Sequence, residues 1–137
     1  MRFFVDMVPP TVTAQEHKVR TVRGRPVFYD PPELADAREK LLAYVGQHRP
    51  PQPLWGAVGL VVIWCFPRGV HPDGAWRVTK PDTDNLQKML KDVMTELGFW
   101  LDDAQVCCET VQKRWTERCG IYIEAEALTN GDGKEQA

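Results

Sequence analysis

The sequence predicts a single α/β (α+β) domain built on a mixed β-sheet with two main helices. Its 137 residues are enough for one domain with its own core. Hydrophobic residues make up 43% and charged residues 26%, a composition typical of soluble globular proteins. Strand-like and helix-like runs follow in the order strand, hairpin, helix, strand, helix, strand, strand. We assign residues 1–128 to this domain and residues 129–137 to a disordered tail.

The first half of the chain contains signals for a strand, a hairpin and a helix. "MRFFVDMVP" is an apolar run that Pro9 and Pro10 end, which predicts the first strand. In "KVRTVRGRPVFYD", two β-prone runs flank Arg23 and Gly24, which predicts a hairpin. "PPELADAREKLLAYVGQ" begins with proline and glutamate and repeats its apolar residues at near-helical spacing, so it predicts an amphipathic helix.

The second half adds three strands and one helix. "LWGAVGLVVIWCF", residues 54–66, is continuously apolar and predicts a central strand covered on both faces. A second helix is predicted over about residues 83–97, with Gly98 after its end. Its apolar residues recur at three- and four-residue steps and form one stripe: Leu86, Met89, Leu90, Val93 and Leu97. "AQVCCETVQKRW" and "CGIYIEAEA" predict the last two strands.

Several classes of function are disfavoured. No apolar run reaches the ~20 residues that span a bilayer and no signal peptide is visible, so we expect a cytoplasmic protein without a membrane partner. Without a Walker or G-x-G-x-x-G loop, we expect no nucleotide cofactor. The four cysteines form no C-x-x-C pair, and we expect buried, inert thiols rather than zinc ligands.

Basic residues are concentrated in one place although the net charge is −2. Dedicated DNA-binding proteins are often basic overall, so the total charge counts against DNA as a partner. The predicted hairpin nevertheless contains Lys18, Arg20, Arg23 and Arg25, which would contact DNA phosphates. A solvated hairpin surface is the alternative explanation.

Two aspartates and a lysine surround the predicted start of the second helix in "KPDTDNLQK". If the chain is extended up to Asp84, the carboxylates of Asp82 and Asp84 point to the same side. Lys88 lies one helical turn after Asp84, opposite the apolar stripe, where it could stabilise negative charge on a phosphate. The alternative is that Asp84 only caps the helix, Asp82 belongs to a turn and Lys88 is solvated beside Asp92.

A second acidic pair, Asp102 and Asp103, is predicted at the first residues of the next strand. An exposed turn with two acids is again the alternative. Three aspartates that converge from these segments would form an oxygen-rich site of the kind that Mg²⁺ or Mn²⁺ prefers. Such an ion can activate water for phosphodiester hydrolysis.

The stretch "KPDTDNLQKMLKDVMTELGFWLDDAQV", residues 80–106, resembles the core of the RusA family of Holliday-junction resolvases. "MVPPTVTAQEHKVR" is similar to a diverged form of the family's N-terminal segment. The resemblance implies that Asp82, Asp84 and Asp103 bind Mg²⁺, with Mn²⁺ a possible substitute, and that Lys88 is the required lysine. Asp102 precedes the third catalytic position.

The resemblance also implies the biological role. Family members are homodimers that bind four-way junction DNA and make paired cuts in opposing strands, in DNA recombination and repair, and phages or prophages frequently carry them. Two other classes stay open: a structure-selective DNA-binding protein that does not cleave, and a metal-dependent phosphohydrolase of nucleotides. Three carboxylates would repel DNA unless a cation were bound, so their presence favours the nuclease.

Overall fold

The strands and helices follow in the order that the sequence predicts. The computed structural model describes residues 1–13, 18–29 and 32–129. The predicted tail, 129–137, lies outside the described residues apart from Thr129. The elements are β1 (Arg2–Val5), β2 (Lys18–Val22), β3 (Arg25–Tyr29), α1 (Pro32–Gly46), β4 (Val58–Pro67), α2 (Thr83–Glu96), β5 (Val106–Thr116) and β6 (Gly120–Ala127).

Four strands form one mixed sheet in the order β1-β6-β4-β5. β4 is parallel to β5 and antiparallel to β6, and β1 is antiparallel to β6. β2 and β3 form a separate hairpin across Arg23 and Gly24, whose φ angles are 52° and 76°. Positive φ at both turn residues matches the right-handed twist of paired strands. The α+β class, the mixed sheet and the hairpin are therefore confirmed.

β4 occupies an interior position in the sheet, but the prediction that both of its faces are covered is wrong. Even-numbered side chains from Val58 to Phe66 are buried, whereas Val61 and Ile63 are only half-buried. The strand also begins later than predicted, because the Leu54 amide donates to the carbonyl of Phe99 at 2.8 Å instead of joining β4. A continuous apolar run did not distinguish a strand with one packed face from a strand with two.

Both helices pack on the same side of β4. The predicted stripe of α2 is buried except for Leu97, which follows the helix and is partly buried. The α1 side chains that meet the same core are Leu34, Leu41 and Val45. Burial of each large apolar side chain contributes about 1.5–3 kcal/mol. An ion pair between Arg38 and Glu96 joins the helices at the surface. The apolar stripe therefore fixes α2 on the sheet and leaves its polar side facing outward.

The four cysteines are free thiols, but the prediction that all are buried is wrong. Cys65 of β4 is buried, whereas Cys107 and Cys108 are exposed and Cys119 is half-buried. β5 is an edge strand, and its first residues are open to solvent. None of the described helices combines the length and the apolar character needed to cross a bilayer.

Candidate active site

An open cleft of about 420 Å³ separates the polar side of α2 from β5. It contains three of the four predicted catalytic residues, namely Asp84, Lys88 and Asp103. The complete lining is Thr83, Asp84, Gln87, Lys88, Lys91, Asp103, Glu109 and Val111. Asp82 is not among the residues that line it. Both halves of the predicted motif therefore meet at one surface, although the three aspartates do not all face it.

The start of α2 explains the separate position of Asp82. Asp82, not Asp84, is the N-cap, with φ −74° and ψ 148°, and the helix begins at Thr83. The extended chain thus ends at Asp82, so strand alternation does not bring the two carboxylates to one side. The Asp82 side chain makes no capping bond and instead pairs with Lys80 Nζ at 2.9 Å. The predictions that Asp84 caps the helix and that extended backbone aligns both carboxylates are wrong.

Asp84 and Lys88 lie one turn apart on the polar side of α2, as predicted. Asp84 is in the first helical turn, and its Oδ1 accepts from the backbone amide of Asn85 at 3.0 Å. Both side chains are exposed and both line the cleft. A carboxylate near a helix N-terminus interacts favourably with the helix dipole.

Asp102 and Asp103 do not begin a strand, contrary to the prediction. Asp103 starts a single 3₁₀ turn that ends at Gln105, and Asp102 is its N-cap. Asp102 Oδ1 accepts from the backbone amide of Ala104 at 2.8 Å, so this carboxylate has a structural partner. Asp103 is exposed and lines the cleft. The two neighbouring acids therefore have different surroundings, with only Asp103 at the cleft.

Gln105 links the 3₁₀ turn to the segment that precedes β4. Its Oε1 accepts from the backbone amide of Asp102 at 3.0 Å, which completes a capping box. Its Nε2 donates to the carbonyl oxygens of Leu54 and Gly56, both at 3.0 Å. These bonds fix the position from which Asp103 enters the cleft.

Sequence reasoning missed three residues in the wall of the cleft. Gln87 is buried, and its Nε2 donates to Glu109 Oε2 at 3.2 Å. Lys91 Nζ lies 3.3 Å from the same carboxylate. The available signal was a polar residue directly after Leu86 in the buried stripe, because a buried amide requires hydrogen-bond partners. Lys91 therefore balances the negative charge of Glu109. Asp84 and Asp103, in contrast, are exposed to the open cleft.

The donor atoms at the cleft suit a hard divalent cation better than zinc. Among the residues that the structure describes, no three His, Cys, Asp or Glu side chains are grouped closely enough to hold a metal ion. Mg²⁺, however, usually keeps several waters and is bound through one or two carboxylates together with substrate phosphates. Asp84 and Asp103 provide two such carboxylates on an open surface. Their chemistry fits that mode of binding.

Positive charge lies close to the N-terminal end of α2. Burial lowers the pKa of Lys113 on β5, the nearby Arg77 lowers it further, and the charge of Asp82 acts in the opposite direction. Burial also lowers the pKa of Arg77, which nevertheless stays protonated because an arginine titrates far above neutral pH. Asp82 therefore lies in the field of fixed cations.

The family model described as Endodeoxyribonuclease RusA matches residues 8–126. The chain belongs to the RusA family of endodeoxyribonucleases. A RusA crossover junction endodeoxyribonuclease from Lactococcus phage r1t is 29% identical over 125 residues, which cover 89% of this chain and 92% of the phage protein. RusA proteins of Escherichia coli K12 and Enterobacteria phage 82 are 68% identical over 25 residues, about a fifth of each protein. The predicted RusA resemblance is thus confirmed.

Proposed function

We propose that this protein is a magnesium-dependent endodeoxyribonuclease that resolves four-way DNA junctions by paired incisions in opposing strands. We place this activity in DNA recombination and repair in the cytoplasm, with a phage or prophage as the source of the gene. The observation that supports it is a cleft shared by Asp84 and Lys88, from the first half of the RusA motif, and Asp103, from its second half. The names of the phage and bacterial relatives point to the same substrate.

The carboxylates of Asp84 and Asp103 would hold Mg²⁺, and Mn²⁺ is a possible substitute. Asp82 would be the third acidic ligand. Its exposed pairing with Lys80 is of a kind that contributes only about 0–1 kcal/mol, so exchanging it for a cation costs little. A bound ion supplies an activated water and neutralises negative charge on the phosphodiester.

Lys88 would bind the scissile phosphate and stabilise the charge that develops on it. Its ammonium group extends from the same side of α2 as Asp84, one turn further along. Lys91 borders the same cleft, but Glu109 balances its charge. A cation at the reacting phosphate accelerates cleavage most when it stabilises the negative charge that develops in the transition state. Lys88 is therefore the catalytic lysine in this proposal.

DNA arms would be held by the hairpin and by a second subunit. Arg23 and Arg25 are exposed at the β2–β3 turn, where they can contact phosphates. Lys18 and Arg20 lie on β2, and their side chains are outside the described part of the chain. A homodimer with two-fold symmetry would place one cleft at each of the two opposing strands.

The proposal is tested with a synthetic four-way junction, Mg²⁺ and a linear duplex of matched sequence. We expect paired nicks in the junction only, and their loss with a chelator and in Asp84→Asn and Asp103→Asn. Asp36→Asn, which removes an exposed carboxylate from α1, is the matched control and should retain activity.

Two outcomes would contradict the proposal. Tight junction binding by the wild type with no nicks in Mg²⁺ or Mn²⁺ would identify a binding protein that does not cleave. Turnover of mononucleotides with no dependence on a junction would identify a phosphohydrolase.

A further inference from the structure

Three successive carbonyl groups immediately before Asp82 are bound by positively charged side chains. Lys113 Nζ donates to the carbonyl oxygens of Thr79 and Pro81, both at 2.7 Å. The guanidinium of Arg77 donates to the carbonyl of Lys80, which lies between them. We call Lys113 and Arg77 the carbonyl clamp.

The clamp is anchored in the core. The Arg77 guanidinium lies 4.2 Å from the ring centroid of Phe66 and 4.5 Å from that of Trp115. Phe66 is buried, so this stacking joins the clamp to the packed side of β4. Cation–aromatic contacts of this kind contribute about 0.5–2 kcal/mol, depending on desolvation. Arg77 is therefore immobilised on a rigid surface.

Backbone pairing holds the same region against the outer edge of β5. The Gly74 amide donates to the carbonyl of Trp115 at 2.7 Å, and the Trp115 amide donates to that of Ala75 at 2.8 Å. The Arg77 amide donates to the carbonyl of Lys113 at 3.1 Å. These bonds surround an isolated antiparallel bridge between Trp76 and Arg114 at the edge of β5. From β5, Lys113 reaches the segment that leads into α2.

The position of Asp82 depends on this clamp as well as on α2, whose Leu86 amide donates to the Asp82 carbonyl at 3.1 Å. The helix is fixed by its apolar stripe, which begins at Leu86, and the Asp82 side chain makes no capping bond of its own. Thr79 and Lys80 are exposed and bury little surface. Pro81 is buried, and the carbonyl bonds of Lys113 and Arg77 constrain the exposed backbone that precedes it.

We propose that Lys113 is a positioning residue of the active site, which holds residues 79–81 on β5 and thereby sets the place of Asp82 relative to Asp84 and Asp103. This inference rests on the proposed metal-dependent nuclease function. Residues that orient metal ligands without touching the metal typically change metal affinity or activity 10- to 100-fold when they are replaced. Loss of Lys113 should have an effect of that size without unfolding the protein.

The test compares Lys113→Met with Lys40→Met, which removes the same charge from an exposed position on α1. Calorimetric titration with Mn²⁺ gives the dissociation constant of the metal. Junction cleavage at a fixed Mg²⁺ concentration and varied junction concentration gives kcat and the KM for the junction. We expect about a 10- to 100-fold weaker Mn²⁺ affinity or lower kcat in Lys113→Met. Its junction KM and circular dichroism should stay close to those of the wild type, and Lys40→Met should match the wild type throughout.

Unchanged Mn²⁺ affinity and kcat in a folded Lys113→Met variant would overturn the inference, as would an equal loss in Lys40→Met. If Lys113→Met does not fold, the same criteria apply to Lys113→Leu, which also removes the ammonium donor. A wild type that neither binds Mn²⁺ nor nicks the junction would instead refute the proposed function, so the two failures are distinguishable.

Discussion

The indole Nε1 of Trp64 donates a 2.7 Å hydrogen bond to Oε1 of Gln87, and both side chains are buried. Trp64 belongs to the central strand β4 and Gln87 to the second turn of α2. The Nε2 atom of the same Gln87 amide donates to Glu109 in the cleft wall. One buried amide therefore joins the hydrophobic core to the candidate active site.

Replacement of Gln87 by leucine should destabilise the fold. Gln87→Leu leaves the Trp64 N–H without a partner in an apolar environment, and an unsatisfied buried donor costs about 1–3 kcal/mol. Urea denaturation followed by circular dichroism measures the loss. Gln47→Leu, at an exposed position just after α1, is the matched control and should stay within about 0.5 kcal/mol of the wild type. Equal effects of both substitutions would mean that the buried bond contributes nothing.

Lys88→Ala should impair cleavage far more than binding. If Lys88 stabilises charge on the reacting phosphate, its loss should lower single-turnover cleavage by about 10²–10³, the range found when one transition-state donor is removed. Junction affinity, measured in Ca²⁺ by gel shift, should change less than about threefold. Lys40→Ala on α1 controls for the loss of one surface charge. Normal turnover of Lys88→Ala would show that this lysine is only part of a solvated surface.

Local signals predicted most of the fold. The α2 stripe that begins at Leu86 and the glycine that follows the helix, Gly98 with φ +83°, are features of neighbouring residues, so the sequence predicts them well. The Arg23–Gly24 turn is equally local. The predicted start of α2 near residue 83 agrees with the structure. The capping residue was not predictable, because both Asp82 and Asp84 are good caps and the choice depends on which backbone carbonyl the Leu86 amide reaches.

Contacts between distant residues could not be predicted in the same way. The bond from Lys113 to Pro81 joins residues 32 positions apart, and the bond from Trp64 to Gln87 joins residues 23 positions apart. No sequence pattern around Lys113 or Trp64 specifies which distant residue its side chain will bind. The meeting of Asp84 with Asp103 at one cleft was expected from the RusA resemblance. Packing of α2 beside β5, which no local signal encodes, is what produces it.

Alkylation should distinguish the cysteines. Cys107 and Cys108 are exposed, whereas Cys65 is buried. Brief iodoacetamide treatment at pH 7.5, followed by peptide mass mapping, should label Cys107 and Cys108 first and Cys65 only after denaturant is added, because the thiolate is the reactive form and needs access. Early labelling of Cys65 in the folded protein would show that β4 opens at that position.

The Cys65 thiol should also make stability depend on pH at the alkaline end. Burial raises the pKa of this thiol, so the folded state binds the proton more tightly than the unfolded state does. The contribution to stability is complete below the thiol pKa of the unfolded chain, about 8.5, and is lost as the pH rises through the higher folded value. Urea unfolding from pH 8 to 10 should show a smaller decline in Cys65→Ala than in wild type, and Cys107→Ala should follow the wild type. Parallel declines in all three proteins would contradict this.

Gly120→Ala should destabilise the β1–β6 pairing. A Cβ atom at Gly120, the first residue of β6, would lie 2.5 Å from the carbonyl oxygen of Val5 and would also collide with the ring of Phe4. The ring can rotate, but the carbonyl belongs to the paired backbone of β1, so the strands must separate. Overpacking of this kind costs about 1–3 kcal/mol, which thermal or urea unfolding would detect. Gly69→Ala tests a glycine with positive φ and open space around it, so it reports backbone strain without collision. A Gly120→Ala variant no less stable than Gly69→Ala would show that β1 and β6 can move apart at little cost.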